Sequence, residues 1–249
     1  MSHNLSKLVF CELDISYDHN LFAHEIDSVL LPDSTQINAT GRAGVKEFLE
    51  INRQWNMVPE SDYLEENSNK AWYVNSLIYY DADDKDVRKG SELGSVLVRN
   101  RTLTDSNLNS KWCWKEKYEN LSLTKFIKSL PLTDIIHARL LYLPPGYMSV
   151  IHRDDRHSNE QFKLSKNLLS STGHLSITLN ISTGGQPLFF ATDSSPVNKI
   201  FKPSTFIFND YFMHGVPKVT SPRRQFRISG KPTKELFEKI IKSTVLEEC

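Results

Sequence analysis

Residues 131–232 form a succession of short β-prone runs, each interrupted by Pro, Gly, Asn or Asp. The runs cover 135–143, 147–152, 174–181, 187–191, 199–209, 214–219 and 224–230, with no helical pattern between them. Parallel βαβ units need a helix between consecutive strands, whereas short strands joined by turns close into a sandwich or barrel. A mainly β core is expected.

The flanking sequence supplies helices. Residues 121–130 read as a helix ended by Pro131, and 20–30 carry Leu21, Phe22, Ile26 and Leu30 at helical spacing. In 44–55, Val45, Phe48, Leu49 and Ile51 recur with a period of about 3.6 residues. Leu8-Val9-Phe10 reads as an edge strand, 72–80 as a β-rich run, and 81–90 as a charged surface loop. After the β runs, 233–247 place Leu236, Phe237, Ile240, Ile241 and Val245 on one face of an amphipathic helix. The expected class is α+β. One domain, 1–249, divides into a helix and strand scaffold (1–130), a β core (131–232) and a C-terminal helix (233–249).

Charge narrows the partners. Lys and Arg number 30 and Asp and Glu 30, so there is no basic excess with which to meet nucleic acid or an anionic membrane. Neither partner is expected. A hydrophobic fraction of 39% is enough for a packed core and too high for a disordered chain. The N-terminal residues carry no basic stretch followed by an apolar one, and no apolar run reaches the roughly 18 residues of a membrane span. Cys11, Cys113 and Cys249 are widely spaced without a C-x-x-C pair, which argues against a disulfide framework and a cysteine zinc site. A cytoplasmic protein is expected.

Two short segments carry chemistry. Ile151-His152-Arg153-Asp154 ends one β run and Met213-His214-Gly215 begins another. Residues i and i+2 of a strand point to the same side, so His152 and Asp154 can present an imidazole and a carboxylate to one point. His214 on a facing strand would complete two histidines and a carboxylate, the ligand set of non-haem Fe(II) oxygenases. The segment Pro222-Arg-Arg-Gln-Phe-Arg-Ile-Ser-Gly230 adds cations suited to a small dicarboxylate beside the metal. If Phe226 and Ile228 face the helices, Arg223, Gln225, Arg227 and Ser229 turn inward, which favours Arg227 with Ser229 as hydroxyl partner. A register shifted by one turns Arg224 inward instead.

These segments resemble a family. Leu140-Leu-Tyr-Leu-Pro-Pro-Gly-Tyr-Met-Ser-Val-Ile-His-Arg-Asp154, then Leu175-Ser-Ile-Thr-Leu-Asn180, then Phe206-Ile-Phe-Asn-Asp-Tyr-Phe-Met-His-Gly-Val216 and an arginine are similar to the Fe(II)- and 2-oxoglutarate-dependent oxygenases. Within these, the likeness is to the aspartyl/asparaginyl β-hydroxylase and proline hydroxylase branch, over residues 112–230. The resemblance implies a double-stranded β-helix of jelly-roll or cupin type, with Fe(II) held by His152, Asp154 and His214. It also implies 2-oxoglutarate as cosubstrate, O2 as oxidant and C–H hydroxylation with release of succinate and CO2. The distal carboxylate of 2-oxoglutarate falls to Arg227 or Arg224. The branch spaces its arginine about ten residues after the distal histidine, which fits Arg224, whereas strand alternation favours Arg227. Tyr142 lies on a strand from which it can reach the cosubstrate, as does Asn180. A basic group often found after the His-x-Asp motif corresponds at best to His174, more simply read as a solvated or satisfied histidine.

Residues 155–173 are polar and longer than a hairpin needs, and read either as a lid over the metal or as a surface insertion. As a lid they would bring Arg156 and His157, with Arg153, to a substrate carboxylate. Trp112-Cys-Trp114 reads as core packing and Gly184-Gly185 as a turn. A small amino acid or derivative is the expected substrate, with a protein or peptide side chain as the alternative. Two rival classes are a non-catalytic β-barrel binding module and a zinc hydrolase or metal-binding cupin. In the first, His152, Asp154 and His214 would not converge; the second needs a further ligand such as His157 or His174. The sequence leaves oligomeric state open.

Overall fold

The computed structural model describes residues 8–38, 71–80, 112–147, 149–152, 177–183, 187–191, 196–200, 204–208, 213–216, 219–242 and 245–247. In chain order the elements are β1 (Leu8–Leu13), α1 (His19–Glu25) continued by a π-helical turn (Ile26–Leu30), β2 (Thr35–Asn38), β3 (Ala71–Ser76), β4 (Ile78–Tyr80), β5 (Trp112–Trp114) and α2 (Ser122–Ser129). There follow β6 (Leu132–Leu143), β7 (Ser149–His152), β8 (Ile177–Ser182), β9 (Pro187–Ala191), β10 (Pro196–Ile200), β11 (Ser204–Phe208), β12 (Met213–Val216), β13 (Arg223–Pro232), α3 (Lys234–Lys242) and β14 (Val245–Glu247). Among the described residues no helix is long and apolar enough to cross a membrane.

The chain is mainly antiparallel β-sheet with few helices. Among the described residues the larger sheet runs β14-β1-β11-β8-β13-β6-β3-β2, a smaller one runs β10-β9-β12-β7, and β4 pairs with β5. From β6 to β13 the chain passes back and forth: β6, β8, β11 and β13 belong to the larger sheet, β7, β9, β10 and β12 to the smaller.

Three expectations change. β1 is not an edge strand, because β11 flanks it on one side and β14 on the other. The run 199–209 is two strands in different sheets, β10 and β11, and Pro203 lies between them. The C-terminal helix is shorter than its apolar pattern suggested. It ends at Lys242, and Val245 joins β14 beside Cys11, so a pattern compatible with a helix is partly satisfied by edge pairing. The predicted helix at 44–55, the loop at 81–90, the polar segment 155–173, His174 and Gly184-Gly185 lie outside the described residues.

The larger sheet has two chemically different faces. Phe226, Ile228, Ala138, Leu140, Leu179, Ile181, Ile207, Cys11 and Leu13 pack with Phe22, Ile26, Leu30, Leu123, Ile127 and Leu236 in one core cluster. That face is covered by the helices. Directly opposed residues of antiparallel strands share a face. The pairs Phe226 with Leu140 and Ile181, and Ile228 with Ala138 and Leu179, therefore fix the alternation of β13. Arg223, Gln225, Arg227 and Ser229 lie on the other face.

Local devices hold the helical face in place. The carboxylate of Glu25 accepts from the backbone N–H groups of Ser122 (2.7 Å) and Leu123 (2.8 Å), so α1 caps α2, whose own preceding residue, Leu121, has no capping oxygen. Pro131 forces Leu130 to extended geometry and ends α2. At the far end of β13 a Cβ on Gly230 would stand 2.8 Å from the carbonyl oxygen of Thr133, so glycine is required for β6 and β13 to approach. Trp112 and Trp114 pack partly buried against the core, as expected of tryptophans two apart on an extended segment.

Candidate functional site

β7 and β12 are neighbours in the smaller sheet, and His214 is the register partner of His152. Register partners on neighbouring antiparallel strands stand about 4.5–5.5 Å apart on one face. The ladder is tied at its other end, beyond a register shift between His214 and Val216. Leu143-Pro-Pro-Gly146 makes the turn into β7 with Gly146 at φ +84°, a left-handed conformation that favours glycine. The Gly146 N–H donates to the Val219 carbonyl (2.8 Å) and the Val219 N–H donates to the Tyr147 carbonyl (2.9 Å), tying the entry of β7 to the exit of β12. Asp154, together with Arg153, Arg156 and His157, lies outside the described residues. Among the described residues no three His, Cys, Asp or Glu side chains converge as a metal cluster.

The four residues expected to meet the cosubstrate divide between the two faces of the larger sheet. Arg224 and Tyr142 are register partners on the helix-covered face. Arg224 makes a two-pronged ion pair with Asp27 of the π-helical turn, Nε to Oδ1 at 2.7 Å and Nη2 to Oδ2, and this bond raises the guanidinium pKa further. Burial raises the Tyr142 hydroxyl pKa, and its ring meets Tyr73 edge-on at 6.1 Å. Arg227 and Ser229 occupy the opposite face, where Asn180 is the register partner of Arg227 on β8. No single site holds all four.

Arg223 is one of the arginines that the strand alternation turns inward, although the sequence pattern favours Arg227. Its side chain is 2% exposed and lies on the same face as Arg227 and Ser229. The Nη2 group donates to Gln225 Oε1, and the guanidinium carbon stands 5.7 Å from the centre of the Trp72 ring. Among the described residues the buried Nε and Nη1 atoms have no hydrogen-bond partner. Desolvation pushes the guanidinium down to about 9, far below its usual value. An uncompensated buried charge costs on the order of several kcal/mol, so this arrangement is suited to an anion that completes it. The signal was present in the sequence as alternation. What could not be read was that Arg224 is taken by Asp27, which leaves Arg223, nine residues after His214, as the buried cation near the expected spacing.

No family model matches the chain, and no curated protein matches it. Among solved structures, it is similar to a Pseudomonas putida prolyl-4-hydroxylase at 11% identity and TM-score 0.33, covering 85% of this chain and 98% of that one. A Trichoplax adhaerens prolyl hydroxylase in complex with a hypoxia inducible factor peptide fragment is similar at 12% identity and TM-score 0.32, over 88% of this chain and 91% of the other. A 2OG-Fe(II) oxygenase family oxidoreductase from Burkholderia pseudomallei is similar at 11% identity and TM-score 0.32, over 88% and 96%. Likenesses this distant decide neither fold nor activity.

Proposed function

We propose that this chain is an Fe(II)- and 2-oxoglutarate-dependent oxygenase that hydroxylates a C–H bond of a small amino acid or amino-acid derivative. The observation that carries the reading is the register pairing of His152 with His214, which sets two histidines at opposed backbone positions from segments far apart in sequence. The donor chemistry fits: two neutral imidazoles and the carboxylate of Asp154, two residues beyond His152, would hold Fe(II) and leave positions open. The alternation of strands between the two sheets supports the double-stranded β-helix as the scaffold.

Fe(II), when bound, supplies the redox chemistry that couples oxidative decarboxylation of 2-oxoglutarate by O2 to oxidation of a substrate C–H. The protein's own part is binding and orientation. Arg223 meets the distal carboxylate of the cosubstrate with one edge of its guanidinium, for which Nε and Nη1 have no partner among the described residues, and Gln225 accepts from Nη2. Arg227 and Ser229 extend the same polar face along β13. Phe206, the register partner of Asn180, is fully buried and stacks obliquely with Phe10 at 5.5 Å, giving that row an apolar end that keeps water away. Phenylalanine side chains cannot compete for the ligand's polar groups.

The test is product analysis. Purified protein with Fe(II), 2-oxoglutarate and air is incubated with pools of free amino acids, and succinate and oxygenated products are measured by mass spectrometry. Succinate formed together with one oxygenated amino acid supports the reading. No succinate above a heat-inactivated control overturns it.

A further inference from the structure

A guanidinium can be anchored in two ways. Hydrogen bonds in its plane use the donors a ligand would need, whereas an aromatic ring over its face leaves them available. Arg223 is held mostly in the second way. Its guanidinium carbon stands over the Trp72 ring, 5.7 Å from the ring centre, and among the described residues only Nη2 has a hydrogen-bond partner, Gln225. Trp72 comes from β3, well before the strands that carry His152 and His214, and the register explains how it arrives. Tyr73 pairs with Tyr142, and Tyr142 with Arg224, in one row on the helix-covered face. Stepping one residue along each strand turns Trp72 and Arg223 to the other face together.

We propose that Trp72 is a positioning residue for a buried carboxylate site formed with Arg223 and Gln225. Its indole fixes the guanidinium so that one donor edge, at Nε or at Nη1, meets a carboxylate oxygen. The ligand class is a small dicarboxylate, one end of which this cradle holds. The proposal rests on the reading of Arg223 as the cosubstrate's cation, and it adds a reporter, because the indole senses occupancy of the charge beneath it.

The experiment is equilibrium binding followed by intrinsic tryptophan fluorescence, with 2-oxoglutarate, succinate and pyruvate as probes, on wild type, Trp72→Phe, Trp72→Leu and Arg223→Met. Melting temperature and Fe(II) affinity are measured in parallel. In wild type, 2-oxoglutarate changes the emission, and the change disappears in Trp72→Phe although binding persists by calorimetry. Trp72→Leu weakens 2-oxoglutarate roughly 3- to 30-fold with Fe(II) affinity unaltered, and Trp72→Phe recovers most of that loss. Undiminished 2-oxoglutarate affinity in Trp72→Leu, or a wild-type signal indifferent to every dicarboxylate, overturns the proposal. A Trp72-dependent signal with succinate and none with 2-oxoglutarate keeps the cradle and overturns the oxygenase reading instead.

Discussion

His152 and His214 are opposite each other on β7 and β12, more than sixty positions apart in sequence yet one strand spacing apart in the sheet. Neither β7 nor β12 exceeds four residues. Such short strands need support from outside, and the Gly146, Tyr147 and Val219 backbone bonds supply it at the end of the ladder away from the histidines.

Removing either imidazole should abolish metal binding without unfolding the chain. His152→Ala and His214→Ala are expected to weaken Fe(II) by more than the roughly 10- to 100-fold typical of an outer-shell partner. Isothermal titration with Fe(II) under anaerobic conditions measures this. Equal affinity in wild type and both variants would separate the paired histidines from any metal.

The two adjacent arginines should behave oppositely. Arg223→Met is expected to eliminate 2-oxoglutarate binding yet leave the ligand-free protein as stable or about 1–4 kcal/mol more stable, since it removes a buried, incompletely paired charge. Arg224→Met breaks the ion pair with Asp27 at a partly exposed site, costs about 1 kcal/mol, and leaves 2-oxoglutarate affinity unchanged. Denaturant melts and ligand titrations on both variants give the comparison; a loss of affinity in Arg224→Met alone would reverse the assignment.

The depressed pKa of Arg223 predicts a pH signature. Desolvation brings the guanidinium of the folded, ligand-free protein down to about 9, well below the value of the unfolded chain. Between those values the unfolded chain binds more protons, so the Arg223 contribution to stability rises with pH across this window and is lost as pH falls through about 9. A bound carboxylate needs the cation and therefore weakens as pH rises above that point. The difference in stability between wild type and Arg223→Met, followed from pH 7 to 10.5, should shrink upward. A difference independent of pH would mean that Arg223 is not desolvated.

Glu25 caps a helix it does not belong to. Glu25→Gln retains one acceptor and should cost little, whereas Glu25→Ala exposes the Ser122 and Leu123 N–H groups and should cost about 1 kcal/mol. Thermal unfolding of the pair checks it, and equal melting temperatures would remove the cap from the account.

The β-rich core was readable because turn residues punctuate it at strand-length intervals, and β6, β7, β9, β12 and β13 fall on predicted runs. The alternation of β13 was readable too, since apolar Phe226 and Ile228 take the helix-covered side and leave polar residues to the other. Sheet membership was not. A single β-prone run such as 199–209 does not say that its halves pair with β9 and β8 in different sheets. Pairings set by distant partners were equally hidden: Asp27 claims Arg224, Trp72 covers Arg223, Glu25 caps α2, and β14 turns β1 from an edge into an interior strand. Each joins residues whose separation in sequence carries no local signal.

The most direct test of the central claim is optical. Protein held without oxygen is given Fe(II) and then 2-oxoglutarate, and the visible spectrum is recorded for the weak charge-transfer band of a keto-acid chelate on iron. Wild type is expected to develop the band in proportion to bound metal, and His152→Ala and His214→Ala to lack it. A wild type that binds both Fe(II) and 2-oxoglutarate without the band, or a band undiminished in either histidine variant, would contradict the account.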